Sequence, residues 1–199
     1  MKLVVATNNQ GKVKELKKLL EPLGFEPVSL KDEGIEIEVV EDGETFAENA
    51  RLKAEAVYNI VHCPVIADDS GLEIDFLDGA PGIYSARYAG ENATDKERME
   101  KVLSELEGTD ESLRTARFVC ALYCILDDET EYSVLGTCDG VIGTEPVGEN
   151  GFGYDPIFVL PDGRTMAELE ASEKNEISHR ANALRKLAEV LAAGGKRKE

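Results

Sequence analysis

Apolar residues recur along this chain in two alternating periods, and their order predicts an α/β protein. Leu3-Val4-Val5-Ala6 is an unbroken apolar run, which reads as a buried strand, and Val13, Leu16, Leu19 and Leu20 then follow at helical spacing. Ile35, Ile37 and Val39 alternate with Glu36 and Glu38, which predicts a strand within residues 26–40. Thr45-x-x-Glu48 is a capping box opening a helix through about Val61, and Thr94-x-x-Glu97 opens another to about Leu106. Between them, Val65-Ile66-Ala67 predicts a short strand whose end carries Asp68-Asp69-Ser70-Gly71 into a cleft. Ala116–Leu126 and Tyr132–Cys138 read as strands joined by a turn at Asp127-Asp128-Glu129, and Val141-Ile142-Gly143 continues the β region. Thr165-x-x-Glu168 is a third capping box. Ser178 is a natural N-cap for a last helix with Ala181, Leu184, Leu187, Ala188 and Leu191 on one face, and residues 194–199 read as a frayed tail.

Composition narrows the class. A chain of 199 residues suits one domain with room for two lobes, and 42% hydrophobic with 31% charged residues is the balance of a soluble globular protein. The sequence holds no apolar run of membrane-spanning length, and its start turns polar at Thr7-Asn8-Asn9, too soon for a signal peptide, so a cytoplasmic protein without a membrane partner is expected. The net charge of −18 repels a phosphate backbone and argues against nucleic acid as a partner. A small anionic substrate stays possible where bases cluster or a divalent cation mediates. Cys63, Cys120, Cys124 and Cys138 lack metal-type clustering with histidine, so free thiols in a reducing compartment are favoured over disulfides or a metal site.

The candidate chemistry lies in the connections. Thr7-Asn8-Asn9-Gln10-Gly11-Lys12 joins the first strand to the first helix, where backbone N–H groups, the helix dipole and a lysine can hold phosphate. It is not a GxxxxGK[ST] loop, and the same residues also suit a plain N-cap on Asn8 or Asn9 with Lys12 in solvent. Strand alternation points Asp68 and Asp69 to opposite faces, so one of them is expected to reach a ligand directly; a polar turn is the plainer account. Gly79–Tyr88 is a Gly- and Pro-rich loop that delivers Arg87. Arg51 and Lys53, and again His179 and Arg180, are bases at helix starts, where the dipole prefers acids; a solvated face or an anionic partner would each explain them. Gly151-Phe152-Gly153-Tyr154-Asp155 interleaves glycines with aromatics that either stack on a planar base or fill core. Lys12, Lys53, Arg87, Lys174 and Arg180, with Asp69 and Glu41 as carboxylates and Phe152 and Tyr154 for stacking, make a plausible kit for a nucleoside triphosphate held by Mg²⁺ and bases.

Six blocks in order resemble the inosine triphosphate pyrophosphatase family, the noncanonical purine NTP or XTP/dITP diphosphatases. They are Thr7-Asn8-Asn9-x-x-Lys12-x-x-Glu15, Thr45-Phe46-Ala47-Glu48-Asn49-Ala50, Ala67-Asp68-Asp69-Ser70-Gly71-Leu72, Gly79–Tyr88, Gly151–Phe158 and Lys174-Asn175-x-Ile177-Ser178-His179-Arg180. The resemblance spans Leu3 to about Leu191. It implies a two-lobed α/β fold around a long, twisted mixed β-sheet flanked by helices, with an active-site cleft between the lobes. It also implies a Mg²⁺-dependent homodimer that cleaves ITP, dITP and XTP to the monophosphate and pyrophosphate.

Carried onto this chain, the resemblance gives the phosphates to Thr7, Asn8, Asn9, Gln10, Gly11 and Lys12, with Lys53, Arg87 and Lys174 adding charge. Asp69 would bind the metal and act as general base, and Ser70 would contact substrate. Phe152, Gly153, Tyr154 and Asp155 would form the base pocket, with His179 and Arg180 reading the 6-oxo group. Several family members carry a metal-binding glutamate three residues before the turn glycine; that position here is Val40, and Glu41 is the nearest carboxylate. A nucleotide sensor would share the loop, bases and aromatics but would not need Asp69, and the Ser178-His179-Arg180 block favours purine over pyrimidine substrates. A phosphatase releasing orthophosphate differs in its product.

Overall fold

The computed structural model describes residues 1–193; the tail expected to be frayed, residues 194–199, lies outside the described residues. Strand β1 (Lys2–Val5) is followed by helix α1 (Gln10–Leu20) and returns in parallel as β2 (Glu26–Ser29). Helix α2 (Phe46–Val61) leads to β3 (Val65–Ile74), also parallel to β1. After α3 (Asp95–Glu105), the neighbouring strands β4 (Thr115–Asp127) and β5 (Thr130–Ile142) are joined by a two-residue turn, and β6 (Phe158–Val159) pairs antiparallel with β5. The chain closes with α4 (Ala171–Ile177) and α5 (His179–Ala192). The six strands form one mixed sheet in the order β2-β1-β3-β4-β5-β6, accompanied by helices.

The chain divides into two compact units. The first contains Met1–Asp69, Cys120–Gly136 and Arg180 onward. Its core draws Leu3 and Val5 from β1, Leu16 and Leu20 from α1, Leu122 from β4 and Leu184 from α5. The second contains Ser70–Val119 and Thr137–His179, with a core including Ile74, Val102, Phe118, Ile142 and Phe158. Both cores follow from patterning, since each takes alternate strand residues and one helical stripe.

Local chemistry sets the helix starts. Thr45 Oγ1 accepts from the Glu48 N–H at 3.1 Å and Glu48 accepts from the Thr45 N–H at 3.1 Å, and the Thr94/Glu97 box repeats this at α3. The Thr165/Glu168 box also forms but opens only a 3₁₀ turn, Met166–Glu168, before Leu169 becomes extended. Helix α4 has no expectation in the pattern; a glutamate-based box between Glu170 and Glu173 starts it.

Two strand expectations are corrected. The strand placed within residues 26–40 ends at Ser29, because Asp32 accepts from the Ser29 N–H and Gly34 takes a left-handed φ of 67°. Ile35, Ile37 and Val39 still alternate half-buried against exposed neighbours, but the segment belongs to no strand. Conversely, β3 does not stop at the acidic pair but runs on through Asp68-Asp69-Ser70-Gly71 to Ile74. Its pairing with β1 ends at Val5↔Ile66, so the carboxylates lie mid-strand yet just beyond the carboxyl end of β1.

Gly140 tests the packing at the β5–β6 edge. A Cβ there would stand 2.5 Å from the Val159 carbonyl oxygen and 2.7 Å from the Phe158 ring. Gly140→Ala is expected to cost ~1–3 kcal/mol of unfolding free energy, measured by denaturant titration. An unchanged midpoint would show that this edge yields freely.

Candidate active site

Alternation along β3 organises the first unit's polar centre. Asp68 shares the face of Ile66, which packs with α1 and α5, and those two helices supply its cations. Lys12 Nζ lies 3.0 Å from Asp68 Oδ2, and an Arg180 guanidinium nitrogen lies 3.1 Å from the same oxygen. Arg180 also pairs with Glu15, one helical turn beyond Lys12. Asp69 points the other way, toward α2, where Lys53 Nζ donates to Asp69 Oδ1 at 2.9 Å and to Glu41 Oε2 at 3.1 Å. The two aspartates therefore do take opposite faces. Each face carries its own ion-pair set.

Burial and charge separate the two acids. Burial would raise the Asp68 carboxyl, but Lys12, Arg180 and Lys53 hold it well below the usual carboxylate range. For Asp69, burial outweighs the pull of Lys53 and Lys12, and with Glu41 nearby its affinity for a proton is raised. Lys53 is opposed by burial yet raised by Asp69, Asp68 and Glu41, so it stays an ammonium. Asp69 Oδ2 is buried, and among the described residues no donor reaches it. That orphaned oxygen marks Asp69 as the group in this set with capacity left for a ligand.

The loop before α1 is shaped by its own side chains. Asn9 Oδ1 accepts from the Lys12 N–H at 3.1 Å, so Asn9 is the N-cap, and the first turn contains no acid. Thr7 Oγ1 accepts from the Asn9 N–H, and the Gln10 amide donates to the Asn8 carbonyl. The Asn8 amide donates to the Ile37 carbonyl, and a cavity of about 590 Å³ opens there, lined by Asn8, Gln10, Lys31, Ile35 and Glu38 among others. The capping account holds for Asn9, while Lys12 sits against Asp68 rather than in solvent, with its side chain only 14% exposed.

The second unit holds the other candidates. Asp155 accepts from the Phe152 N–H at 2.9 Å and from Lys174 Nζ at 2.6 Å, and the same ammonium stands 4.8 Å over the Phe152 ring. His179 stacks on Phe118 with ring centroids 4.9 Å apart. Arg87 lies over the exposed ring of Tyr84 at 5.1 Å. Ser70 is half-buried on β3.

One expected role changes. Tyr154 is a core residue, packed with Phe118 and Phe158, and its hydroxyl donates to the Ser85 carbonyl at 2.8 Å; of the glycine-loop aromatics only Phe152 keeps a partly open face. Arg180 lies in the first unit, fully buried, and donates to Asp68 and Glu15. The dipole argument noticed Arg180 as a misplaced base; the partner it lacked in the sequence was Asp68, 112 residues away. Glu15 and Asp68 received no role from the sequence. A signal for Glu15 was present in its spacing of one turn from Lys12. Cys120 and Cys124 are free, with burial pushing both thiols up to about 12, as inert core cysteines would be.

A mixed α/β sheet carrying ion-paired buried acids beside a helix-capping loop defines a class of anion-handling α/β protein. The family model described as the Ham1 family matches residues 3–190. The chain belongs to the Ham1 family. It is 56% identical over 191 residues to a protein of Bacillus subtilis named dITP/XTP pyrophosphatase, with 96% of each chain covered. It is 51% identical to a protein of the same name from Vibrio parahaemolyticus, with 96% of this chain and 97% of the other covered. Among solved structures, the Ham1 protein of Staphylococcus aureus matches with a TM-score of 0.85 at 43% identity, covering 97% of this chain and 99% of that one. A HAM1 protein from Coxiella burnetii gives 0.86 at 43% identity, covering 98% and 100%.

Arg180→Ala would remove one of the cations around buried Asp68 together with the ion pair to Glu15. A loss of ~3–5 kcal/mol in unfolding free energy is expected, read from denaturant curves at neutral pH. A loss under ~1 kcal/mol would show that the remaining cations suffice for Asp68.

Proposed function

We propose that this chain is a Mg²⁺-dependent nucleoside triphosphate pyrophosphohydrolase that converts the noncanonical purine nucleotides ITP, dITP and XTP to the monophosphate and pyrophosphate, clearing them from the cytoplasmic nucleotide pool. The observation that carries the reading is Asp69: a buried carboxylate held by Lys53 through one oxygen, with the other oxygen unengaged by the described residues. The relatives named dITP/XTP pyrophosphatase point to the same chemistry.

The residues divide the work by charge. The loop Thr7–Lys12 at the positive end of α1 holds the triphosphate, and Lys12, Lys53, Lys174 and Arg87 oppose its negative oxygens. Asp69 takes a proton from water as the water oxygen attacks the α-phosphorus. The bond from that phosphorus to the α–β bridging oxygen breaks, and pyrophosphate leaves with the electron pair. Burial raises the basicity of Asp69, which suits a general base. Asp69 and Glu41 are hard oxygen donors converging on Lys53, a set that fits Mg²⁺, whose bound charge would further neutralise the triphosphate. Among the described residues no three candidate ligands cluster, so water and substrate oxygens would have to complete the ion's shell.

For the base, Phe152 offers the stacking face, and His179 supplies a donor to the purine 6-oxo group. Adenine presents an amino group there, and unmatched polar groups of this kind can reject a substrate by up to ~10⁴–10⁵-fold. We further propose that the enzyme works as a homodimer; the exposed Phe76 and Leu113 provide apolar surface that a second copy would cover.

Incubating ITP and ATP separately with the protein and Mg²⁺ should yield IMP and pyrophosphate from ITP while ATP stays nearly intact, and a chelator should abolish the reaction. Orthophosphate as the direct product would overturn the cleavage position, and tight ITP binding without turnover would point to a sensor. Asp69→Asn should lower kcat by at least ~10²-fold while circular dichroism shows the fold retained. Near-normal turnover in that variant would remove Asp69 from the proton transfer.

A further inference from the structure

The glycine loop that carries Phe152 is held in place by several tethers, one of which comes from outside the six family blocks. Within the loop, Asp155 binds the Phe152 N–H and Lys174, and Gly151 takes a left-handed φ of 76°. A Cβ on Gly151 would fall 2.0 Å from Asp155 Oδ2, so the loop closes tightly on its own carboxylate. The external tether is Asp95, the first residue of α3, whose Oδ2 accepts from the Gly153 N–H at 2.7 Å across 58 residues of sequence. Arg98, one turn further along α3, pairs with Asp95 Oδ1 and also donates to the Ala86 carbonyl, in the 3₁₀ turn Gly82–Arg87. One helical turn therefore connects the loop bearing Phe152 to the turn bearing Arg87.

An acid at a helix start is favoured by the dipole alone. The Thr94/Glu97 box, however, already caps α3. The dipole gives no reason for Asp95 to turn one oxygen to Gly153 or for Arg98 to close on the other. We propose that Asp95 is a positioning residue for nucleobase binding: held by Arg98, its carboxylate fixes Gly153 and thereby sets Phe152 and Asp155 against the purine. This rests on the reading of Phe152 as the stacking face. The Asp95 side chain is 44% exposed, so removing it opens no buried cavity.

The test compares wild type, Asp95→Ala and Asp95→Asn by hydrogen exchange at the Gly153 amide and by steady-state hydrolysis of ITP and ATP. Asp95→Ala should exchange Gly153 faster, raise the KM for ITP roughly tenfold with kcat within about twofold, and lower the ITP-to-ATP preference. Asp95→Asn keeps an oxygen acceptor for Gly153 and should recover most of the KM. Unchanged Gly153 protection in Asp95→Ala would overturn the tether. Faster exchange with KM and preference unmoved would overturn the positioning role. A wild type inert toward every purine triphosphate would bring down the functional reading and the proposal with it, a result distinct from an active wild type that its variants match.

Discussion

Burying two neighbouring carboxylates in the interior of a sheet is unfavourable unless cations reach both of its faces. In this protein that requirement fixes where three helices place their bases. Asp68 draws Lys12 from α1 and Arg180 from α5, and Asp69 draws Lys53 from α2. Each of those bases sits in a helix whose buried face is mainly apolar, so the packing of the first unit and the charge balance of its centre are one arrangement. A sheet face that slipped by one residue would exchange the partners of the two acids.

The same pairings give the acids different characters. Asp68, with Lys12 and Arg180 both on its Oδ2, stays ionised, which suits a fixed anchor for Lys12. Asp69, more weakly compensated and with an unengaged oxygen, has the basicity and the open valence that chemistry needs. Two adjacent residues of one type acquire separate duties from environment alone, the logic by which carboxylates in one site divide acid and base roles.

What could be read from the sequence was whatever is local. Thr45/Glu48 and Thr94/Glu97 announced their helices because a capping box is written within four residues. The opposite orientation of Asp68 and Asp69 followed from strand period. The segment 30–40 misled because alternation shows which side chains face inward, not whether a neighbouring strand exists to pair with. Tyr154 was ambiguous because an aromatic beside a glycine looks alike whether it meets a ligand or packs in a core with Phe118 and Phe158. Arg180 and Asp95 were beyond local reading, since their partners lie 112 and 58 residues away. The six motif blocks conveyed the family without conveying which of their residues hold the protein together.

The first unit is assembled from three separated stretches, and Arg180, which compensates Asp68, belongs to the last of them. During synthesis, the strand carrying Asp68 leaves the ribosome more than a hundred residues before its cation does. At typical elongation rates of about 5–20 residues per second, roughly 6–22 s separate the synthesis of Asp68 from that of Arg180. The first unit therefore cannot reach its final packing until the stretch beginning at Arg180 has been made.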